Sequence, residues 1–309
     1  MTRWGIAGAS GGISDLFAEA AALVDASEIV AVASRDQSTA ARFASRHGIE
    51  HLDTYESLAE REDVDAIYVA TPPALHHYAA LYLKAGKHVL CEKPLATALW
   101  QTEALVGAAQ QRGVFLMEAM WCRFLPAYQR LRQLLLDGVV GEVVQVDAYF
   151  GIKQPNRARP EFNAAMGGGA LLTGGCYPVS FAHMILGEPA DVRAFGHVGE
   201  SGVDETFTAG LLYESGAVAS VRSAITADVG NAARICGTEG TLTLSSLTNP
   251  TTIDGDPEHV DCPITRPRLA YQLEHVEQCL RDGLTESPVM PLAESCAVAR
   301  TIDQIRAQL

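Results

Sequence analysis

Two lysines in this 309-residue sequence have neighbours that could support proton transfer. Lys93 follows an apolar segment and a carboxylate in the stretch CEKP, residues 91–94, and Lys153 comes four residues after Tyr149. A lysine that is partly desolvated, or that lies beside another positive charge, binds its proton less tightly and can exchange it. A lysine beside a phenol stabilises the phenolate. Both patterns are candidates for acid–base chemistry, although a single lysine at a strand end is by default a solvated one.

A cluster of glycines, GIAGASGGIS at residues 5–14, follows directly on the apolar start of the chain. A turn between a strand and a helix needs glycines where backbone N–H groups approach a pyrophosphate. Ser10 stands where a central glycine is more common. The position of the cluster, after the first strand and before the first helix, indicates a dinucleotide-binding loop. We expect this loop to contact the cofactor through Gly8, Ala9, Ser10, Gly11, Gly12 and Ile13.

The first part of the chain alternates between short apolar segments and helix-length stretches that end at glycine. The first of these helices is predicted from about Ile13 to Ala26. Apolar strands that alternate with helices predict a parallel sheet covered on both faces, which is a Rossmann arrangement. Its strands are expected in RWGIAG, EIVAVAS, VDAIYVAT, KHVLCEKP and VFLMEA.

The pattern changes after about Arg123. In VVQVDAYF, residues 143–150, apolar and polar positions alternate, which predicts a strand with one polar face. TFTAGLLY, GAVASVRSA, ARICG and TLTLSS continue as short strands, and two amphipathic helices close the chain. We therefore predict an α/β protein with two domains, a Rossmann domain at 1–122 and an α+β domain at 123–309. The second domain is expected to carry an open, mostly antiparallel sheet.

The pair of Tyr149 and Lys153 matches the Tyr-x-x-x-Lys motif of short-chain dehydrogenases, but its setting argues against that family. On a helix, four residues rise about 6 Å and bring the ammonium near the phenol. Tyr149 instead ends an alternating strand, where four residues cover roughly 13 Å. The glycine pattern of that family also requires glycine at position 14, which is Ser14.

The end of the second predicted strand, VASRD, indicates which dinucleotide is preferred. Enzymes that prefer NAD usually place an acidic residue here to bind the ribose hydroxyls. Ser34 and Arg35 occupy this place, and such a pair suits the 2′-phosphate of NADP. Asp36 is one position further on and is expected to face solvent. NADP is the predicted cofactor, with NAD as the alternative.

Composition excludes several classes of function. With 37 acidic and 23 basic residues the formal charge is −14, and no run of Lys or Arg provides a patch for nucleic acid. The seven scattered cysteines suit reduced thiols better than disulfides or a zinc site. No apolar run approaches the roughly 20 residues that span a bilayer. The start, MTRWGIAGAS, is unlike an export signal, so a cytoplasmic location without membrane attachment is expected.

Several longer stretches, taken together, carry a resemblance to a known family. They are VATPPALHHYAALYLKAGKHVLCEKPLA, FLMEAMWCRFLPAY, GGGALLTGGCYPVSF and ESPVMPLAES. The sequence resembles the glucose–fructose oxidoreductase/inositol dehydrogenase (Gfo/Idh/MocA) family from about Trp4 to Ile305. Within it, the sequence is most similar to the subgroup of dimeric dihydrodiol dehydrogenases and NADP-dependent D-xylose dehydrogenases.

The resemblance implies roles for individual residues. Lys93 would contact both the nicotinamide ribose and the substrate, and Tyr177 matches the general acid/base of the dihydrodiol subgroup. The loop GGGALLTGGCYP would cap the nicotinamide. Arg157, Arg159, Thr173 and Asn163 are candidates for substrate contact. The further cofactor contacts that the resemblance implies are Ala70, Thr71, Pro72, Leu75, His76, Glu92, Trp121 and Arg123.

The chemistry implied is hydride transfer between nicotinamide and a carbinol or carbonyl carbon of a sugar, polyol or trans-dihydrodiol, without a metal. One position departs from the family pattern, because Thr173 stands where the family usually has aspartate. Threonine can bond a hydroxyl but carries no charge. A catalytically silent NADP-binding sensor or partner protein on the same fold is therefore the alternative. The family commonly pairs through the second domain's sheet, which predicts a homodimer or a dimer of dimers.

Overall fold

A computed structural model describes residues 1–9, 12–255 and 259–309 of the chain. Contacts divide it into two compact units. The first comprises Met1–Ala96, Trp100–Trp121 and Thr265–Ser295; the second comprises Thr97–Leu99, Cys122–Ile264 and Cys296–Leu309. Two separate folded units agree with the predicted fold class.

The first unit contains a parallel sheet of six strands in the order β3-β2-β1-β4-β5-β6. Every residue of β4 and of β6 is buried, as expected for a parallel sheet covered on both faces. This confirms the predicted Rossmann arrangement. Its strands are β1 Thr2–Ala7, β2 Ser27–Ala33, β3 His51–Asp53, β4 Ala66–Val69, β5 His88–Glu92 and β6 Leu116–Ala119. The helices between them are α1 Ile13–Ala21, α2 Gln37–His47, α3 Tyr55–Glu60, α4 Tyr78–Lys84 and α5 Leu99–Arg112.

The helix α1 ends five residues earlier than the sequence indicated. After Ala21 the backbone hydrogen bonds join residues three apart, as in a turn. Leu23 N–H donates to Ala20 O at 3.0 Å, and Val24 N–H donates to Ala21 O at 3.2 Å. Ser27 N–H then donates to Val24 O at 2.8 Å and begins β2. The apolar residues 22–24 therefore form a turn in which Leu23 is exposed and Val24 is buried, and their helical periodicity does not continue the helix.

A late segment of the chain returns to the first unit, whereas the boundary drawn from the sequence put everything after residue 122 in the second domain. The segment contains α8 Arg268–Arg281, and Glu277 on this helix is 2% exposed. Its carboxylate accepts hydrogen bonds from Thr2 Oγ1 at 2.6 Å, Trp4 Nε1 at 2.8 Å and Ser27 Oγ at 2.6 Å. One buried carboxylate thus joins α8 to the starts of β1 and β2.

The second unit contains an eight-stranded sheet in the order β14-β13-β12-β11-β7-β10-β9-β8. Within this sheet, only β7 and β10 pair in parallel among the described strands, so the prediction of an open, mostly antiparallel sheet is confirmed. Its strands are β7 Val143–Gly151, β8 Asp191–Val198, β9 Asp204–Leu212, β10 Val218–Ala224, β11 Gly230–Gly237, β12 Thr241–Leu244, β13 Thr252–Gly255 and β14 His259–Asp261. The remaining helices are α6 Pro126–Leu136, α7 Cys176–Leu186 and α9 Leu292–Arg306.

The alternation predicted for β7 is present in the structure. Val146 and Ala148 are fully buried, and α7 contacts this strand and β10. Tyr149 lies on the opposite face, where the Arg222 guanidinium stacks 3.9 Å from its ring centroid. Val144, near the start of the strand, is 50% exposed although it shares the apolar register. The strand therefore separates a core face from a mixed outer face.

One helical stretch, Ala164–Leu186, is long and apolar enough to cross a membrane by length and composition alone. It has a mean hydropathy of 1.2, and 78% of it is buried inside the fold. Burial against the sheet accounts for its apolar composition, because α7 forms the second half of the stretch.

Candidate active site

Lys93 follows β5 directly, at the carboxyl edge of the parallel sheet where ligands of such sheets bind. The lysine is half-buried, and its backbone N–H donates to Glu92 Oε2 at 3.3 Å. Glu92 accepts a hydrogen bond from the Tyr68 hydroxyl on β4 at 2.6 Å. Burial raises the pKa of Glu92, and the Tyr68 hydroxyl and the Lys93 charge oppose that rise. Glu92 is thus held within the sheet, and Lys93 lies at the edge of the sheet.

His76 is fully buried, and both of its ring nitrogens lie within hydrogen-bonding distance of backbone carbonyl oxygens. Nδ1 lies 2.9 Å from Pro94 O and 3.3 Å from Leu95 O, and Nε2 lies 2.9 Å from Thr71 O. Burial is the main cause that lowers the pKa of this histidine. The structure therefore places His76 between the segment after β4 and the turn after β5. The sequence analysis had assigned it to the lining of the cofactor path.

The segment after β4 contains a polar atom that the protein leaves unpaired. Thr71 is 6% exposed, and its Oγ1 has no hydrogen-bond partner within the described residues. An unpaired buried hydroxyl is costly, and a bound ligand can remove that cost. Ala70 is buried beside it, and the other predicted contacts in this segment, Pro72 and Leu75, are half-buried.

Gly8 lies next to Thr71 at the point where the strand order reverses between β1 and β4. Gly8 has φ +110°, and a Cβ there would lie 2.8 Å from the Ala70 carbonyl carbon and oxygen. Gly12 has φ +64°, and α1 begins at Ile13 without a side-chain cap on Gly12. Ala9 is buried. Ser10 and Gly11, both predicted cofactor contacts, lie outside the described residues.

The end of β2 places Ser34 and Arg35 as the sequence suggested. Ser34 is 9% exposed, whereas the Arg35 side chain is exposed. Asp36 caps α2 by accepting a hydrogen bond from Ser38 N–H at 3.0 Å. Hydrogen bonds from Thr39 and Ser38 lower the pKa of Asp36 to about 2. The Asp36 carboxylate is therefore hydrogen-bonded to residues of its own helix.

Tyr177 lies in the first turn of α7, in the second unit, and is 7% exposed. The Phe150 ring from β7 meets the Tyr177 ring edge to face, with centroids 5.4 Å apart. The preceding residues were expected to form a loop, but Leu171–Gly175 is a π-helical segment that continues into α7. Two glycines permit this packing. A Cβ on Gly174 would lie 2.7 Å from Ser223 Oγ, and one on Gly175 would lie 2.5 Å from Phe207 Cε1.

Thr173 lies within the π-helical segment, four residues before Tyr177, and its N–H donates to Gly169 O at 3.0 Å. The start of the segment is held by Asp204 of β9, which accepts a hydrogen bond from Leu171 N–H at 2.6 Å. Burial raises the pKa of Asp204 to about 6, against the effect of that hydrogen bond. The helix that carries Tyr177 is thus tied to the sheet through a titratable carboxyl.

The two residues of the WCRF motif that were predicted to reach the cofactor belong to different units. Trp121 is 8% exposed, and the Arg268 guanidinium lies 5.1 Å from the centroid of its ring. Arg123 is 1% exposed and donates through Nη2 to Ser180 O at 2.6 Å and to Ser180 Oγ at 2.7 Å. Arg123 therefore holds α7 one turn after Tyr177.

The three predicted substrate contacts that follow β7 all bond to nearby protein groups. Arg157 pairs with the buried Glu205 at 2.6 Å. Arg159 pairs with Glu161 at 2.8 Å. The Asn163 side chain accepts a hydrogen bond from Ala165 N–H at 3.0 Å. These contacts stabilise the loop between β7 and the π-helical segment.

Five residues that position these groups were not predicted from the sequence: Tyr68, Glu118, Phe150, Ser180 and Asp204. Glu118 is the most informative of them, because a carboxylate within the apolar segment FLMEAM is unusual and is 2% exposed. It accepts a hydrogen bond from Leu95 N–H at 3.1 Å. No group of three or more His, Cys, Asp or Glu side chains able to hold a metal occurs within the described part of the chain.

Comparisons with known proteins cover the whole chain. Residues 2–120 match the oxidoreductase family GFO_IDH_MocA, with its NAD-binding Rossmann fold, and residues 128–243 match the GFO/IDH/MocA C-terminal domain. The trans-1,2-dihydrobenzene-1,2-diol dehydrogenase of Xenopus tropicalis is 40% identical over 328 residues, which cover 100% of this chain and 98% of that protein. The Mus musculus enzyme of the same name is 37% identical, covering 98% of this chain and 96% of that protein.

Solved structures show the same architecture. A 3-ketoreductase from Actinomadura kijaniata, in complex with NADP and TDP-benzene, has a TM-score of 0.87 and 31% identity, covering 99% of this chain and 97% of its own. An aldose–aldose oxidoreductase from Caulobacter crescentus has a TM-score of 0.90 and 25% identity, with the same coverage. The two family models and the full-length relatives identify the same family. The chain therefore belongs to the GFO/IDH/MocA family of oxidoreductases.

Proposed function

We propose that this oxidoreductase transfers hydride between NADP and a carbinol or carbonyl carbon of a sugar, polyol or trans-dihydrodiol. The observation that carries the proposal is the placement of Lys93, half-buried at the carboxyl edge of the parallel sheet while Glu92 is bonded to Tyr68. The full-length similarity to dihydrodiol dehydrogenases supports the substrate class. The similarity to the aldose–aldose oxidoreductase supports sugars as a further class, and that to the 3-ketoreductase supports the reduction of a ketone.

The first unit fits a nicotinamide dinucleotide. Gly8 approaches the backbone after β4 so closely that a Cβ would fill the space, and Gly12 leads into α1 with positive φ. The unpaired hydroxyl of Thr71 supplies a hydrogen-bonding group at the same edge of the sheet. We propose that these groups, with Ala9, Ser10, Gly11 and Ile13, hold the pyrophosphate and the neighbouring ribose.

When bound, the nicotinamide supplies the hydride acceptor or donor. The chain's own residues supply orientation and proton transfer. We propose that Tyr177 takes the hydroxyl proton from the substrate during oxidation and returns it during reduction. Lys93 stabilises the phenolate form of Tyr177 by its positive charge. Phe150 and Arg123 keep the Tyr177 ring and its helix in place through the contacts described above.

The cofactor preference rests on the end of β2. Ser34 and the exposed Arg35 provide a hydroxyl and a guanidinium suited to the 2′-phosphate of NADP. Asp36 does not compete for the ribose hydroxyls, because its carboxylate is bonded to Ser38 and Thr39 at the start of α2. We therefore propose NADP as the preferred cofactor and NAD as a weaker alternative.

A panel of substrates tests the proposed reaction. Trans-dihydrodiols, aldoses and polyols are each offered with NADP and with NAD, and the reduction of the cofactor is followed by absorbance. The proposal expects at least one of these classes to be oxidised faster with NADP. Two negative results together would contradict the proposal. The folded protein would bind NADP but reduce it with none of these substrates, and NADPH would reduce no aldehyde or ketone of these classes.

A catalytically silent NADP-binding sensor is the second candidate, and Thr173 is the observation that favours it. The loss of the usual carboxylate at this position removes a negative charge beside the proposed acid/base. The fluorescence of NADPH separates the two candidates. An enzyme changes this fluorescence progressively as substrate is consumed, whereas a sensor changes it only on mixing.

We also propose that the chain pairs with a second copy, as a homodimer or a dimer of dimers, through the outer face of the β7–β10 sheet. This face is mixed in character. Arg222 and Tyr149 stack on it, and the exposed pair Leu212 and Val218 lies in register across β9 and β10. Phe195 on β8 is 80% exposed. Light scattering at micromolar concentration tests this proposal, which a monomer would contradict. A cytoplasmic location is proposed with it.

A further inference from the structure

We propose that His76 and Glu118 are positioning residues that hold the Pro94–Leu95 peptide from both sides and so fix the position of Lys93. This inference rests on the proposed role of Lys93 in the reaction. Neither side chain needs to touch cofactor or substrate for this role, since both are buried in the first unit.

The geometry of one peptide unit carries the inference. The carbonyl of Pro94 and the N–H of Leu95 belong to the same peptide plane. His76 Nδ1 lies 2.9 Å from that carbonyl oxygen, and the N–H donates to Glu118 Oε1 at 3.1 Å. A peptide plane held at both its donor and its acceptor cannot rotate. Lys93 is attached one residue before this plane, so the direction of its side chain depends on the plane's orientation.

Burial makes the two contacts strong determinants of the turn. His76 is 0% exposed and Glu118 is 2% exposed, so water cannot replace either contact. A buried N–H or carbonyl that loses its partner bears the full desolvation penalty. The turn would therefore adopt another conformation if either side chain were lost, and Lys93 would move with it.

His76 also links this turn to the segment after β4. Its Nε2 lies 2.9 Å from Thr71 O, and the Thr71 hydroxyl is among the groups proposed to contact the cofactor. Both partners are acceptors, and a neutral imidazole carries a single N–H, so the ring donates to only one of them. The inference requires this proton on Nδ1, where it donates to Pro94 O. Substitutions that keep or remove a donor at the Nδ1 position therefore test it.

We call this arrangement, with His76 and Glu118 on either side of the Pro94–Leu95 peptide, the clamp. Variants at Glu118 test its first half. Glu118→Gln keeps an oxygen acceptor for Leu95 N–H, whereas Glu118→Ala removes it. We expect Glu118→Ala to lower kcat by about 100-fold, as a displacement of about 1 Å can do, with little change in NADPH affinity. Glu118→Gln should retain most of the activity. Glu103→Ala, at an exposed position of α5, is the control.

A readout that does not depend on activity accompanies this pair. Hydrogen exchange measured by mass spectrometry on the peptide that spans residues 90–99 reports the protection of Leu95 N–H. The inference expects faster exchange in Glu118→Ala and near wild-type protection in Glu118→Gln. Unchanged exchange and unchanged kcat in a folded Glu118→Ala protein would overturn it.

Variants at His76 test the second half. The amide nitrogen of asparagine can occupy the place of Nδ1, and that of glutamine the place of Nε2. His76→Asn should therefore retain most of kcat, whereas His76→Gln, whose amide does not reach the Nδ1 position, should lose it. His77→Asn and His77→Gln, at the exposed neighbouring histidine, are the controls. Equal losses of kcat in both His76 variants would overturn the inference.

Two results separate this inference from the proposed function. If Lys93→Met is inactive while Glu118→Ala and both His76 variants keep the wild-type kcat, the clamp is wrong and the role of Lys93 stands. If Lys93→Met keeps the wild-type kcat, the proposed role of Lys93 fails whatever the clamp variants do. Should Glu118→Ala not fold, Glu118→Gln and the two His76 variants still decide, because each keeps one of the contacts.

Discussion

At the scale of single residues, the sequence identified the groups that carry charge and missed the groups that hold them. Lys93 could be recognised because it follows an apolar strand and a carboxylate. The contacts of His76 could not, because their partners are backbone carbonyls that only the fold brings near it. Arg157 shows the opposite case. Its charge suggested a substrate contact, yet its guanidinium pairs with Glu205, a partner 48 residues away.

Lys93→Met removes the ammonium while it keeps a side chain of similar length. We expect kcat to fall by about 10²–10⁴-fold, the usual contribution of a positioned acid–base group, while the protein still folds. Steady-state kinetics with the best substrate of the panel measures the effect. Lys84→Met, at an exposed position of α4, is the matched control. Turnover near the wild-type rate with normal NADP binding would contradict the role of Lys93.

Arg35→Ala tests the cofactor preference. Loss of a hydrogen bond to a charged group costs about 1.5–3 kcal/mol, so the affinity for NADPH should fall by roughly 10- to 100-fold. The affinity for NADH should stay nearly constant, because NADH lacks the 2′-phosphate. Fluorescence titration of both cofactors measures this, with Arg42→Ala on α2 as the control. Equal weakening of both cofactors would show that Arg35 does not recognise the phosphate.

At the scale of elements, strand periodicity was informative and helix ends were not. The alternation in β7 predicted its two faces, because a side-chain period of two is unambiguous on a strand with one buried face. The π-helical segment before α7 was expected to be a loop, since its glycines suggest flexibility. The structure uses Gly174 and Gly175 for close packing against β7 and β9. Sequence alone does not show which neighbour requires a missing side chain.

Glu277→Ala tests how α8 is attached to the Rossmann sheet. The change leaves three donors, Thr2 Oγ1, Trp4 Nε1 and Ser27 Oγ, without their acceptor. Unsatisfied buried groups cost about 1–3 kcal/mol, so we expect a loss of about 2–4 kcal/mol in the free energy of unfolding. Urea denaturation measures this loss, and Glu19→Ala, at an exposed position of α1, is the control. A loss no larger than the control's would contradict this attachment.

Asp204→Asn tests the carboxyl that holds the start of the Tyr177 helix. Burial raises the pKa of Asp204 from 3.8 to about 6 in the folded protein. A raised carboxyl pKa means that the folded state binds the proton more tightly, so stability is lost as the pH rises from about 4 through 6. Asparagine cannot ionise and avoids this loss.

The melting temperature of Asp204→Asn relative to the wild type should therefore become more favourable between pH 4 and pH 7. Thermal melts at a series of pH values measure the difference, and Asp137→Asn, on an exposed position at the end of α6, serves as the control. A difference that stays constant with pH would show that Asp204 does not titrate in this range.

At the scale of the whole molecule, the order of strands and helices was sufficient to predict both fold types. The return of Thr265–Ser295 to the first unit was not predictable, because α8 has the same amphipathic pattern wherever it packs. Its destination is set by Glu277, whose three hydrogen-bonding partners lie at residues 2, 4 and 27. The family match extends from residue 2 to residue 243 in two parts, so the relatives share both units.

The most direct measurement is the rate of NADP reduction by wild-type protein and by Tyr177→Phe, with the best substrate of the panel. Tyr177→Phe keeps the ring that packs on Phe150 and removes only the hydroxyl. The account predicts that the wild type reduces NADP and that the variant does so about 10²–10⁴-fold more slowly, with unchanged NADPH affinity. Equal rates in the two proteins would contradict the assignment of Tyr177 as the acid/base of this oxidoreductase.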